Sequence, residues 1–194
     1  MSEKQVIDDI LYYSKLSFNR MLVPGVSGNI SVLYDGKVYI TGTNTCLGNL
    51  TPEDIVVCDL EGNVLSGSLK PSKETELHAL VYKTRPDASC VVHLHPMHVV
   101  ALSLLNKTVP ALTATFDAKL IEVPLIPFAP TGSLELFDSI VDALTSMKEG
   151  ASLLTIARHG TLSFGKSLLE AFSVTDLAED TAKTAFLDPA FRKA

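Results

Sequence analysis

Residues 91–98, VVHLHPMH, place three of the chain's five histidines in one short and otherwise apolar stretch. Val91, Val92 and Leu94 favour a buried strand over 90–95, in which residues two apart face the same side. His93 and His95 then stand side by side. They offer two neutral imidazole nitrogens to one divalent cation, and imidazole is a common ligand for zinc and its neighbours. His98 lies beyond Pro96 and cannot share that strand. An H-x-H pair also occurs by chance in ordinary strands, so further ligands and the chemistry must come from elsewhere.

Three other patches carry suitable groups. In PGVSGNIS, residues 24–31, two glycines, two serines and an asparagine leave backbone and side-chain donors free to cradle an anion. KPSKE, residues 70–74, sets the Ser72 hydroxyl, the Lys73 ammonium and the Glu74 carboxylate where a helix begins, and a helix N-terminus favours phosphate. The same residues also read as a plain helix start, with Ser72 as the cap and Glu74 matched to the helix dipole. LLTIARHGTLSFG, residues 153–165, puts His159 after an apolar strand and before Gly160, as a candidate third ligand.

The elements that must position these groups follow from periodicity. Val6, Ile7, Ile10, Leu11 and Leu16 are spaced for an amphipathic helix over 3–21. Two strands follow, joined by a turn at Asp35 and Gly36, and a second strand pair turns near Glu61, Gly62 and Asn63. Helices are expected from Ser72 to Arg85, over 99–106, near 133–147 and near 167–186. Strands are expected near 119–124 and 152–157. With no repeat, low-complexity tract or long linker, residues 1–194 read as one α/β domain with mainly antiparallel strands.

Composition narrows the class. Of 194 residues, 46% are hydrophobic and 20% charged, which excludes disorder, and no apolar run is long enough to span a membrane. The first residues lack the basic start and apolar stretch of a secretory signal, so a cytoplasmic protein is expected. Cys46, Cys58 and Cys90 are scattered and read as reduced thiols. The net charge of −6, without a basic stripe, argues against nucleic acid as a partner.

Together the patches resemble the class II aldolase/adducin family over about residues 5–187. Its motifs occur in order: S-G-N-x-S at 27–31, T-x-T at 41–43, P-S-x-E at 71–74, H-x-H at 93–95 and H-G at 159–160. The resemblance implies a three-layer α/β/α sandwich around a mainly antiparallel sheet, assembled as a homotetramer with active sites between subunits. It implies His93, His95 and His159 as ligands of Zn2+, with Mn2+ or another divalent ion as the alternative. Glu74 becomes the catalytic acid/base, and a further metal ligand before substrate arrives. Asn29, Thr43, Ser72 and the Gly28 amide surround the phosphate of a small phosphorylated sugar.

Such an enzyme cleaves a carbon–carbon bond through a metal-stabilised enediolate, and Glu74 moves the proton with a pKa raised towards neutrality by burial once the metal engages substrate. Two departures bear on the subtype. Lys73 stands where fuculose-1-phosphate aldolases have a second serine, and it suits a phosphate or a carboxylate. Those aldolases also use late tyrosines as proton donors, one of them shortly after a segment like VPAL, whereas here no tyrosine follows Tyr82 and that position is Ala114. Asp117 aligns, with one gap, with the proton-transfer aspartate of ribulose-5-phosphate 4-epimerases and is the candidate second catalytic group, contributed across a subunit interface. Residues 46–95 resemble 3-oxo-tetronate 4-phosphate decarboxylases. Relatives that lack the ligands are adducin-like scaffolds. With all three histidines present, an aldolase-type lyase is the leading expectation, ahead of a decarboxylase, an epimerase and a scaffold.

Overall fold

A computed structural model describes residues 2–188. The single-domain expectation also takes in Met1 and 189–194, which lie outside the described residues. Helix α1 (Glu3–Asn19) starts where the Ser2 hydroxyl accepts from the Gln5 amide, and it buries Val6 and Ile10. Strands β1 (Asn29–Tyr34) and β2 (Lys37–Thr41) turn at Asp35 and Gly36, both with positive φ, as the Asp-Gly signal predicts. Strands β3 (Ile55–Cys58) and β4 (Val64–Ser66) form the second pair, followed by α2 (Thr75–Thr84), β5 (Cys90–Leu94) and α3 (Met97–Leu104). The chain continues through β6 (Leu125–Ile126), α4 (Leu134–Ser146), β7 (Leu153–Ile156), β8 (Gly160–Gly165) and α5 (Leu168–Leu187).

The strands make one eight-stranded sheet in the order β4-β3-β2-β1-β5-β8-β7-β6. Every pairing is antiparallel except β6 with β7. Strand alternation divides the core. Ile30, Val32, Val92 and Leu94 face α1 and α5, while Val91, Leu162 and Phe164 face α2 and α4 through Leu77, Val81, Leu136 and Ile140. The result is the α/β/α sandwich expected. His93 has the parity of Val91, so it projects on the α2 side.

Three local expectations are corrected. Residues 119–124 are not a strand. Phe116–Leu120 forms a π-helical turn whose buried Phe116 and Leu120, four residues apart, pack with Val174, Ala178 and Ala182 of α5. The strand begins only after Pro124, at Leu125. Helix α2 starts at Thr75 rather than Ser72, with Glu74 in the cap position and the Ser72 carbonyl accepting from both the amide and the hydroxyl of Thr75. Helix α3 starts at Met97, directly after Pro96, and so carries His98.

Candidate metal centre and active site

The central strands bring three of the motifs to one end of the sheet. Asn29, the first residue of β1, pairs with His93 of β5, and β5 in turn pairs with β8, which opens at Gly160 just after His159. His95 lies one residue past β5, its amide donating to the Leu22 carbonyl at 3.0 Å. Gly160 is required by this crowding, because a Cβ there would lie 2.3 Å from the Leu94 carbonyl oxygen and 2.7 Å from the His95 ring. Gly28, with φ +77°, has no room for a side chain, because a Cβ there would lie 2.7 Å from Val23 Cγ2 and 3.0 Å from the His93 carbonyl oxygen.

The three imidazoles surround one point. Their ring centroids are 4.8–5.1 Å apart, and the potential ligand atoms all lie within 4.8 Å of one another. His93 is fully buried, and its Nε2 stands 2.9 Å from His95 Nε2. Glu74, at the start of α2, reaches the same point, with Oε2 3.2 Å from His93 Nε2 and Oε1 3.2 Å from His159 Nε2.

Hydrogen bonding assigns one of these nitrogens. His93 Nδ1 lies 2.8 Å from the Thr161 carbonyl oxygen, and a carbonyl only accepts, so the ring proton sits on Nδ1. Its Nε2 therefore presents a lone pair to the centre, the orientation that a metal-ligating histidine needs. Burial holds His93 below the ordinary imidazole pKa despite the neighbouring Glu74. His95 is lowered to about 3, by burial first and then by His93 and His159. Burial thus favours the neutral, ligating form of both His93 and His95. With Glu74 they bring together more lone pairs than protons, and a divalent cation satisfies all of them at once.

The raised pKa of Glu74 is expected only once a metal engages substrate; among the protein's own groups the shift runs the other way. Burial would raise the pKa, but His93 and His159 in their protonated forms, together with the Asn29 amide, outweigh burial and hold the carboxyl well below the usual carboxylate range. The cause is local: both carboxylate oxygens are occupied, and Asn29 Nδ2 donates to Oε2 at 2.7 Å.

Gly28, Asn29, Thr43, Ser72 and Lys73 line one cavity of about 200 Å³ with Glu74 and His95. Asn44 and Thr131 also line it, neither of them among the candidates from sequence. Thr131 belongs to a Pro-Thr-Gly turn that carries no chemical signal of its own. Asp117 is exposed on the π-helical turn and is not among the residues lining this cavity. His98 serves a different purpose. Its Nδ1 lies 2.7 Å from Glu179 Oε1, while Glu179 Oε2 accepts from the amides of His98 and Val99 and so caps α3.

Sequence reasoning missed His78 and Tyr82 and gave Ser31 only a place in the anion-cradling motif, whereas all three lie behind Asn29 and Glu74 in a buried hydrogen-bonded row. A signal existed. His78 follows Glu74 by four residues and Ser31 follows Asn29 by two, the spacings that share a helix face and a strand face.

Residues 8–186 match the family model described as the Class II Aldolase and Adducin N-terminal domain. An L-fuculose phosphate aldolase of Methanococcus vannielii is 34% identical over 178 residues, covering 92% of this chain and 94% of that protein. A 3-oxo-tetronate 4-phosphate decarboxylase of Haemophilus influenzae is also 34% identical, over 175 residues, covering 87% of this chain and 81% of that one. A solved structure of an L-fuculose 1-phosphate aldolase superposes with a TM-score of 0.88 at 29% identity, covering 98% of this chain and 89% of the other.

Proposed function

The chain belongs to the class II aldolase and adducin family, and from that membership we propose that it is a metal-dependent lyase that breaks a carbon–carbon bond of a small phosphorylated sugar. The observation that carries this reading is the convergence of His93, His95, His159 and Glu74 on one point. In this reading the three histidines hold zinc, with manganese as the alternative, and Glu74 joins them before substrate arrives. The bound cation supplies positive charge against the oxyanion that develops as a bond beside a carbonyl breaks.

The chain's own residues do the rest. Asn29, Thr43, Ser72 and the Gly28 amide hold the phosphate in the cavity they share, and Lys73 adds charge there. Glu74 exchanges a proton with the substrate. Once His93 and His159 are engaged as ligands, burial remains as the force that raises the Glu74 carboxyl towards the range a general acid/base needs. Met21, Met97 and Leu104 are exposed, and they line an apolar cavity that also reaches His95 and His159. That supports an interface on this face, which in the proposed homotetramer is covered by a neighbouring subunit that contributes Asp117. The reading treats residues 1–194 as one cytoplasmic domain; no described helix is long and apolar enough to cross a membrane.

A second reading, decarboxylation of a 3-oxo-tetronate 4-phosphate, is favoured by Lys73, whose ammonium suits a substrate with a carboxylate as well as a phosphate. Epimerisation rests on Asp117 alone, and a scaffold role has no use for the histidine cluster. The test has two parts. Purified protein should carry stoichiometric zinc or manganese, lost in His93→Ala and His159→Ala; metal-free protein without affinity for either ion sinks the lyase reading. Incubation with phosphorylated ketoses and keto acids, scored for aldehyde, carbon dioxide or epimer, then separates the subtypes.

A further inference from the structure

Behind Glu74 runs a row of buried polar groups: Asn29, His78, Ser31 and Tyr82, none more than 5% exposed. Asn29 Nδ2 donates to Glu74 Oε2 at 2.7 Å, and Asn29 Oδ1 lies 2.6 Å from His78 Nε2. His78 Nδ1 lies 2.6 Å from Ser31 Oγ, which lies 2.6 Å from the Tyr82 hydroxyl.

The direction of every bond follows from the first. The Asn29 NH2 is the end of the amide that meets Glu74, so its carbonyl oxygen faces His78. That oxygen only accepts, so His78 carries its proton on Nε2. Burial lowers His78 to about 3, with His93 adding to the effect, and the ring is neutral at physiological pH. Its Nδ1 is then bare and accepts from the Ser31 hydroxyl, whose oxygen accepts from Tyr82. All the donors point towards the carboxylate, an order in which each bond strengthens the next.

We propose that His78 is a positioning residue whose Nε2–H locks the Asn29 amide with its NH2 towards anions. One N–H meets Glu74, and the second is available to the cavity that Asn29 lines. With the amide turned over, Oδ1 would face the Glu74 carboxylate and any phosphate in the cavity, and would repel both. The part of this inference that concerns phosphate rests on the function proposed above; the part that concerns Glu74 stands on the distances.

The test uses metal-loaded protein and two readouts. Long-range ¹H–¹⁵N correlation of the wild type should show His78 protonated at Nε2 and bare at Nδ1; an Nδ1–H ring overturns the proposal. Affinity for inorganic phosphate is then measured by calorimetry. His78→Leu should weaken it roughly 10-fold, the scale for leaving a buried polar partner unsatisfied, with metal content unchanged. His78→Gln, whose amide can offer a donor to Asn29 Oδ1, should recover most of that affinity. In an Asn29→Ala background, His78→Leu should weaken phosphate binding no further, because the two residues act through one amide. Additive losses, or no rescue by glutamine, overturn the proposal in favour of simple core packing. Should His78→Leu fail to fold, the tautomer and the glutamine variant decide. Should the wild type not bind phosphate, the phosphate reading fails, and the tautomer alone decides whether His78 holds Asn29.

Discussion

Glu74 is the residue on which most of the chemistry depends, because it is shared by two imidazoles and one amide. Glu74→Gln keeps the side-chain volume and a polar contact with the histidines while removing the group that takes up the proton. It should retain the fold and lower turnover roughly 10²-fold or more, the usual scale for losing a general acid/base. Steady-state kinetics at neutral pH check this, and near wild-type turnover would remove Glu74 from the role. The motif P-S-x-E made this glutamate visible in sequence. Its low-lying carboxyl was not visible, since His159 and Asn29 are distant in the chain and meet it only in the fold.

At the scale of elements, the start of α3 shows how a side chain from one helix completes another. Pro96 opens the helix and has no side chain that can cap it, so the orphan amides of His98 and Val99 are satisfied by Glu179 of α5. Glu179 is 3% exposed and also meets His98 Nδ1, so truncating it strands the buried Val99 amide and two partly buried groups of His98. Glu179→Ala should cost about 1.5–3 kcal/mol, the range for hydrogen bonds to a charged group. Thermal melting should fall by several degrees for a chain of this size. An unchanged midpoint would show that water replaces the carboxylate without loss. Sequence placed His98 beyond the strand, but its partner lies 81 residues away and no local pattern announces it.

For the whole molecule, the buried imidazoles set a pH dependence. His78 and His95 each have a folded pKa of about 3, against about 6.5 when unfolded. The unfolded chain therefore binds protons that the folded chain refuses. The stabilising contribution is fully present above about pH 6.5 and is lost as pH falls towards about 3. Between pH 7 and pH 5 the loss is about 2 kcal/mol for each histidine. Chelated protein should melt several degrees lower at pH 5 than at pH 7, and a midpoint that does not move over that range would contradict the assignment. Assembly is the second property at this scale. If Asp117 completes a neighbouring site, the protein runs as a tetramer by light scattering, and mixing inactive Glu74→Gln with inactive Asp117→Asn subunits restores some turnover. A fully active monomer, or an Asp117→Asn variant with unaltered kinetics, rules this out.

By itself the sequence determined the family, the order of the main elements and the residues of the histidine cluster. Those depend on short spacings: two residues in H-x-H, alternation in the strands, helical periodicity in α1 and α5. The tertiary structure decided the rest. Leu120, Ile121 and Val123 make 119–124 resemble a strand, yet Phe116 and Leu120 pack on α5 at a helical spacing, and tertiary packing overrode the local preference. The tautomer of His93 comes from a carbonyl 68 residues away, and the orientation of Asn29 from His78 on another element. Such bonds depend on which strands and helices become neighbours, and only the fold brings them within hydrogen-bonding distance.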